Sequence, residues 1–193
     1  MENLKNKIFR TIEKEIELQE FEEWLYKQND LSERMDEDLV LELFSFNYNQ
    51  KGANYEFNRK FIEYYNQEEF TNWKILANLK MLQNGCSKPE RILWDFRDLS
   101  EDGYSFLNHL GYAVFDLEES EYLGWDRQKL LDIIHIEASQ LLEELSDWMQ
   151  KSKSKDLIEF KSKFKKSYIA LPTWSEVKMR NTVKSKKWWE FWK

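Results

Sequence analysis

The chain is poor in the residues that make turns and cross-links: 193 residues include five glycines, two prolines and one cysteine. Scarce glycine and proline argue against β-sandwiches and parallel-sheet enzymes, whose many tight turns draw on both. The single thiol, Cys86, excludes an intramolecular disulfide and suits a reducing compartment. Neither GxGxxG nor GxxxxGK(S/T) can be written with so few glycines, and GxSxG, HExxH and paired cysteine ligands are missing too. No run approaches the roughly 18–20 apolar residues that span a bilayer. The densest, Leu130-Leu131-Asp132-Ile133-Ile134, is broken by an aspartate. The N-terminal stretch lacks the apolar core of a signal peptide, so a cytoplasmic location is expected.

What is present is apolar and charged in bulk. Hydrophobic residues make up 41%, aromatics 16% and charged residues 34%, enough to fill a core and clothe a helical surface, which excludes disorder. The net charge of −7 is unevenly placed. From Lys151 onward, thirteen Lys/Arg stand against four Asp/Glu, a charge of +9; the preceding 150 residues carry 16 basic and 32 acidic groups, or −16. Parts of opposite sign point to separate partners or to mutual docking.

Hydrophobic spacing is helical almost throughout. Leu4, Ile8, Ile12 and Ile16 recur every four residues, and Phe21, Trp24 and Leu25 mark a second helix. Asp36 is placed to cap a third, where Leu39, Leu43 and Phe46 form one apolar face and Val40, Phe44 and Tyr48 another, so this helix is expected at the centre of the core. Phe57, Phe61 and Tyr64 mark a fourth, and Phe70, Trp73, Ala77 and Met81 a fifth. Asn84-Gly85 and then Pro89 end it. Leu130, Ile134, Ala138, Leu141, Leu145 and Trp148 predict a long helix over 126–150 with Asp126 as its cap. Between them, residues 111–117 read either as helix or as a short β element, because Tyr112, Val114 and Phe115 have strand character and Gly103, Gly111 and Gly124 punctuate the region. Leu157, Phe160 and Phe164 predict a basic amphipathic helix. The expected fold is mainly α, a bundle of about seven or eight helices. Residues 1–84 form an N-terminal helical subdomain, 85–150 a second packed on it, and 151–193 a basic, aromatic-rich C-terminal segment.

Candidate chemistry is thin. Asp132 and His135 share a helix face and offer two ligands, but a di-metal bundle needs such a pair on two helices, and His109 has Phe106 at the matching position. No metal and no cofactor is therefore expected. Cys86 lies in a helix-stop loop without a catalytic signature, so its plain reading is a small inert thiol. Asp95 to Asp102 offers four carboxylates, but with the wrong spacing for a calcium loop and with Arg97 among them, which reads as a solvated face. The terminus sets Lys184, Lys186 and Lys187 beside Trp188, Trp189 and Trp192. It reads as a segment docked on the acidic body, or as an anchor on a membrane surface or nucleic acid.

The segment Phe21-Glu22-Glu23-Trp24-Leu25-Tyr26, followed by residues 37–48 with Leu39, Leu43 and Tyr48, resembles small helical proteins of bacterial toxin-immunity loci. The resemblance covers residues 5–66 and implies action by binding rather than catalysis. The expected function is thus non-catalytic: an immunity or inhibitor protein that neutralises a basic, toxin-like partner through an acidic surface. A carboxylate-rich face suits the phosphate-binding cleft of a nuclease. The candidate contacts are Asp36, Glu37 and Asp38, then Asp98, Glu101 and Asp102, then Glu118, Glu119 and Glu121. The alternative is a nucleic-acid or membrane-surface adaptor acting through residues 184–193.

Overall fold

Asn3 opens the first helix, its side chain accepting the Lys5 N–H, and the described residues of the computed structural model form eight α-helices. Residues 3–28, 31, 36–152 and 156–162 are described, the side chain of Leu123 excepted. The helices are α1 (Leu4–Ile12), α2 (Leu18–Leu25), α3 (Glu37–Ser45), α4 (Ala53–Ile62), α5 (Gln67–Gln83), α6 (Pro89–Glu101), α7 (Asn108–Leu123) and α8 (Arg127–Lys151). Short 3-10 turns cover Ser105–Leu107 and Leu157–Glu159, and there is no strand among the described residues. The mainly helical fold follows from the hydrophobic periodicity. No helix among the described residues is long and apolar enough to cross a membrane.

The helices gather into two units, Met1–Lys74 and Ile75–Lys193. The core of the first is aromatic: Phe9, Phe21, Tyr48, Phe57 and Phe61 are buried with Leu18, Leu25 and Leu43. Their rings meet mostly edge to face, as ring quadrupoles favour; Phe9 lies 4.9 Å from Tyr65 and Phe21 lies 5.1 Å from Phe57. The core of the second is mainly aliphatic, built from Ile75, Leu79, Leu93, Val114, Ile134, Leu141 and Leu145. The division falls inside α5, ten residues before the end of the expected 1–84 segment. The reason is that α5 changes its buried face. Phe70 and Trp73 join the aromatic core, while Ile75, Leu79 and Leu82 join the aliphatic one. Met81, expected in the buried stripe, is exposed.

Several expectations are corrected. The first helix stops at Ile12 rather than reaching Ile16, because Lys14 turns left-handed (φ 58°) and the Glu15 N–H reaches back to the Arg10 carbonyl at 2.8 Å. Helix α3 is less enclosed than expected: Leu39 and Leu43 of one face and Val40 and Tyr48 of the other are buried, but Phe44 is exposed and Leu41, between the two faces, is 69% exposed. The β element near 111–117 is absent, since α7 runs unbroken from Asn108 to Leu123. Its strand-like residues obey a helical period. Leu110, Val114 and Leu117 bury one stripe, and packing of that stripe outweighs β-propensity. Gly124 (φ 69°) ends α7, with the Trp125 N–H bonded to the Ser120 carbonyl at 2.8 Å. After α8, the expected amphipathic helix is a 3-10 turn followed by extended Phe160 where the chain is described. Leu157 and Phe160 are nevertheless buried in the second core, and Phe160 lies 5.1 Å from Phe106. Phe164 is outside the described residues.

Asp126 caps α8 as expected, accepting from the Gln128 and Lys129 N–H groups, and Leu130, Ile134, Ala138, Leu141 and Leu145 form its buried stripe. Gly85 is left-handed (φ 75°) after α5, and Pro89 opens α6.

Candidate functional site

Helices α6 and α7 form a close hairpin, and Gly111 sets how close. A Cβ at Gly111 would lie 2.6 Å from the Arg97 backbone N and Cα and 2.9 Å from the Phe96 carbonyl carbon, so only hydrogen fits there. This approach assembles a composite surface. Trp94 and Arg97 stand one turn apart on α6, and Tyr112, Phe115 and Glu118 follow the same three-residue step on α7. The Trp94 and Phe115 rings meet edge to face at 5.2 Å, and Tyr112 lies 5.9 Å from Phe115. The Arg97 guanidinium sits 5.4 Å from the Trp94 ring and 5.9 Å from Phe115. Trp94 donates its indole N–H to Glu118 Oε1 at 2.9 Å. Tyr112 is 50% exposed and Phe115 37%, so the aromatic cluster faces solvent.

Carboxylates surround these rings. Between Pro89 and Leu123 there are nine Asp/Glu and two Arg, a local charge of −7. Arg97 pairs with Asp98 at 3.5 Å and with Glu101 at 2.9 Å, while Asp102, Glu119 and Glu121 are exposed. At the start of α6, Glu90 pairs with Arg127 of α8. Burial alone would raise its carboxyl, but the hydrogen bond and charge of Arg127 hold it below the usual carboxylate value.

Two of the three candidate clusters therefore lie on one hairpin but not side by side: Asp98–Glu101–Asp102 is at its connection end, and Glu118–Glu119–Glu121 is toward the other, where Glu118 meets Trp94. The third lies in the other unit. There Asp36 is engaged as the cap of α3, accepting from Asp38 N–H at 2.9 Å and Leu39 N–H at 3.1 Å, and Glu37 and Asp38 are exposed in the first turn. Lys184, Lys186, Lys187, Trp188, Trp189 and Trp192 lie outside the described residues. Sequence reasoning missed Trp94, Arg97, Tyr112 and Phe115 as a cluster. The available signal was the position of Tyr112 and Phe115 off the Leu110–Val114–Leu117 stripe, legible only once α7 is taken as a helix.

Asp132 accepts from Gln128 Nε2 at 2.9 Å. The ring of His135 lies against the loop after α5, 3.7 Å from where a Gly85 Cβ would stand. Burial pushes the Cys86 thiol up, which disfavours the nucleophilic thiolate. Among the described residues no three His, Cys, Asp or Glu side chains converge as metal ligands. The histidine bound to a carboxylate is His109, whose Nδ1 lies 2.6 Å from Glu137 Oε2. Glu137 is only 4% exposed, so the pair ties α7 to α8. A cleft of about 490 Å³ on the first unit is lined by Glu42, Arg59, Lys60, Glu63 and Tyr64. Lys60 pairs there with Glu42 at 3.2 Å, and Arg59 pairs with the neighbouring Glu56 at 2.6 Å.

Comparison with protein-family models, curated proteins and solved structures finds no match. Within the two segments 21–26 and 37–48, Phe21, Leu25, Leu39, Leu43 and Tyr48 are buried in the first core, whereas Tyr26, Leu41 and Phe44 are exposed.

Proposed function

We propose that the chain acts without catalysis, by stoichiometric binding of a basic protein through the α6–α7 face. The observation that carries this reading is the solvent-facing Trp94–Arg97–Tyr112–Phe115 cluster set within a local charge of −7. Trp, Tyr and Arg dominate binding energy where they are packed and then desolvated, and a ring of like charge steers an oppositely charged partner toward them. The cluster is already held in place by the Trp94–Glu118 bond and the Arg97 ion pairs, which lowers the ordering cost of association. In the form suggested by the N-terminal resemblance, the chain is a bacterial immunity or inhibitor protein and the partner a toxin with a basic cleft. The test is quantitative capture from lysate on immobilised full-length protein, comparing wild type with Tyr112→Ala/Phe115→Ala. Both positions are exposed, so helix content should be kept. A basic protein retained by wild type and reduced at least about tenfold by the variant is the expected result, a loss of about 1.4 kcal/mol. Equal capture by the two proteins overturns the assignment of this face.

A further inference from the structure

We propose that the basic terminal segment, residues 163–193, docks on the α6–α7 face of its own chain and holds it against the basic partner. The competition rests on the binding reading above; the docking does not. The charges are matched. Residues 163–193 contain nine Lys/Arg and two Asp/Glu, a charge of +7, against −7 between Pro89 and Leu123. The described chain also ends in the right place. Phe160 packs against Phe106 in the α6–α7 connection, and Ser162 donates to Glu144 of α8 at 2.7 Å. The segment thus departs beside the end of the hairpin that carries Asp98, Glu101 and Asp102.

Reach is sufficient. Lys184 is 22 residues beyond Ser162. A chain of that length extends up to ~70 Å at ~3.3 Å per residue, whereas a 16-residue helix such as α7 is only ~24 Å long. The side chains are complementary in kind. Lys184, Lys186 and Lys187 suit the exposed Asp98, Glu101 and Asp102 at that end of the hairpin, and Trp188, Trp189 and Trp192 suit the open edges of the adjoining Tyr112 and Phe115. Tethering gives the segment an effective concentration of order millimolar. A partner at cellular concentration therefore gains the face only by binding it substantially better than the tail does.

Zero-length carbodiimide coupling tests the docking in the full chain, because it joins lysines to carboxylates only at contact. Mixing isotopically labelled with unlabelled chains separates links within a chain from links between chains. The expected result is intrachain links from Lys184, Lys186 or Lys187 to acids of residues 89–123, lost in about 0.5 M salt as screening shortens. Links from these lysines to acids elsewhere, links only between chains, or no links overturn the docking. The competition is tested with a synthetic peptide of residues 184–193 supplied in trans. It should bind full-length Lys184→Glu/Lys186→Glu/Lys187→Glu at least about fivefold more tightly than wild type, whose face is already filled. Equal affinities refute it. Intrachain links together with partner capture that ignores Tyr112 and Phe115 would leave the docking standing and remove the binding reading.

Discussion

Gly111→Ala is the sharpest perturbation of the α6–α7 hairpin. In an isolated helix the change gains about 1 kcal/mol, since alanine loses less backbone entropy than glycine. Here the new methyl would stand 2.6 Å from the Arg97 backbone N and Cα, closer than atoms approach without movement. The obstacle is backbone, so no rotamer change relieves it; α6 and α7 must separate, thinning the contacts of Ile92, Leu93, Phe96 and Val114. Overpacking of this kind costs about 1–3 kcal/mol, more where the obstacle cannot yield. Taking the upper part of that range against the propensity gain leaves a net loss of about 2 kcal/mol. Urea unfolding followed by circular dichroism, with exposed Glu119→Ala as the control within about 0.5 kcal/mol, measures it. The same separation would move Trp94 and Arg97, both on α6, away from the Phe115 ring on α7, so the variant should bind the basic partner less well. A Gly111→Ala protein as stable as wild type, or more so, refutes the claim that this glycine sets the helix spacing.

Three further outcomes are expected. Leu141→Ala removes a buried side chain from the α8 stripe and should cost about 2–5 kcal/mol, while exposed Glu143→Ala should cost under about 0.5 kcal/mol; equal shifts in urea would mean the buried face is misplaced. His109→Ala leaves the buried Glu137 carboxylate without its partner and should cost about 1–3 kcal/mol, most of it recovered in His109→Ala/Glu137→Leu, so the double-mutant cycle must show coupling. Burial first, then the charge of Glu69, pushes Tyr65 up to about 12, and burial raises the Tyr48 hydroxyl, which donates to the Leu43 carbonyl at 2.8 Å. Folded values raised above the ordinary one near 10 mean this stability is fully present below about pH 10 and lost as pH climbs toward 12 and beyond. Absorbance at 295 nm should therefore show late-titrating tyrosines accompanied by loss of helix, and a single transition near pH 10 with helix intact would contradict it.

The helical class was legible because apolar residues recur at three and four along the chain, and α8 was legible nearly to the residue because Asp126 is a good cap before a regular stripe. What was not legible depended on neighbours. Gly111 reads locally as punctuation, yet its role is a contact with α6, which no local pattern reports. Helix α5 carries two stripes in succession, so a single stripe drawn through Phe70, Trp73, Ala77 and Met81 fails after Trp73. The acidic clusters were visible as composition. That two of them share a hairpin with an aromatic cluster follows from Trp94 and Glu118, 24 residues apart, meeting across the helix pair.

The shared helix α5 has a consequence for how the protein opens. Its first half is anchored by Phe70 and Trp73 and its second by Ile75, Leu79 and Leu82, each in a different core. Opening of one unit strips the packing from one half and leaves the other half as a folded template. Backbone amides near Lys74 are the last in α5 to be freed, because either half suffices to hold the central turn. Hydrogen exchange along α5 should therefore peak in protection at its middle, and a mutation that weakens one core alone should accelerate exchange on its own side of Lys74 and stop there. A single continuous helix so records, amide by amide, which of the two cores opens first.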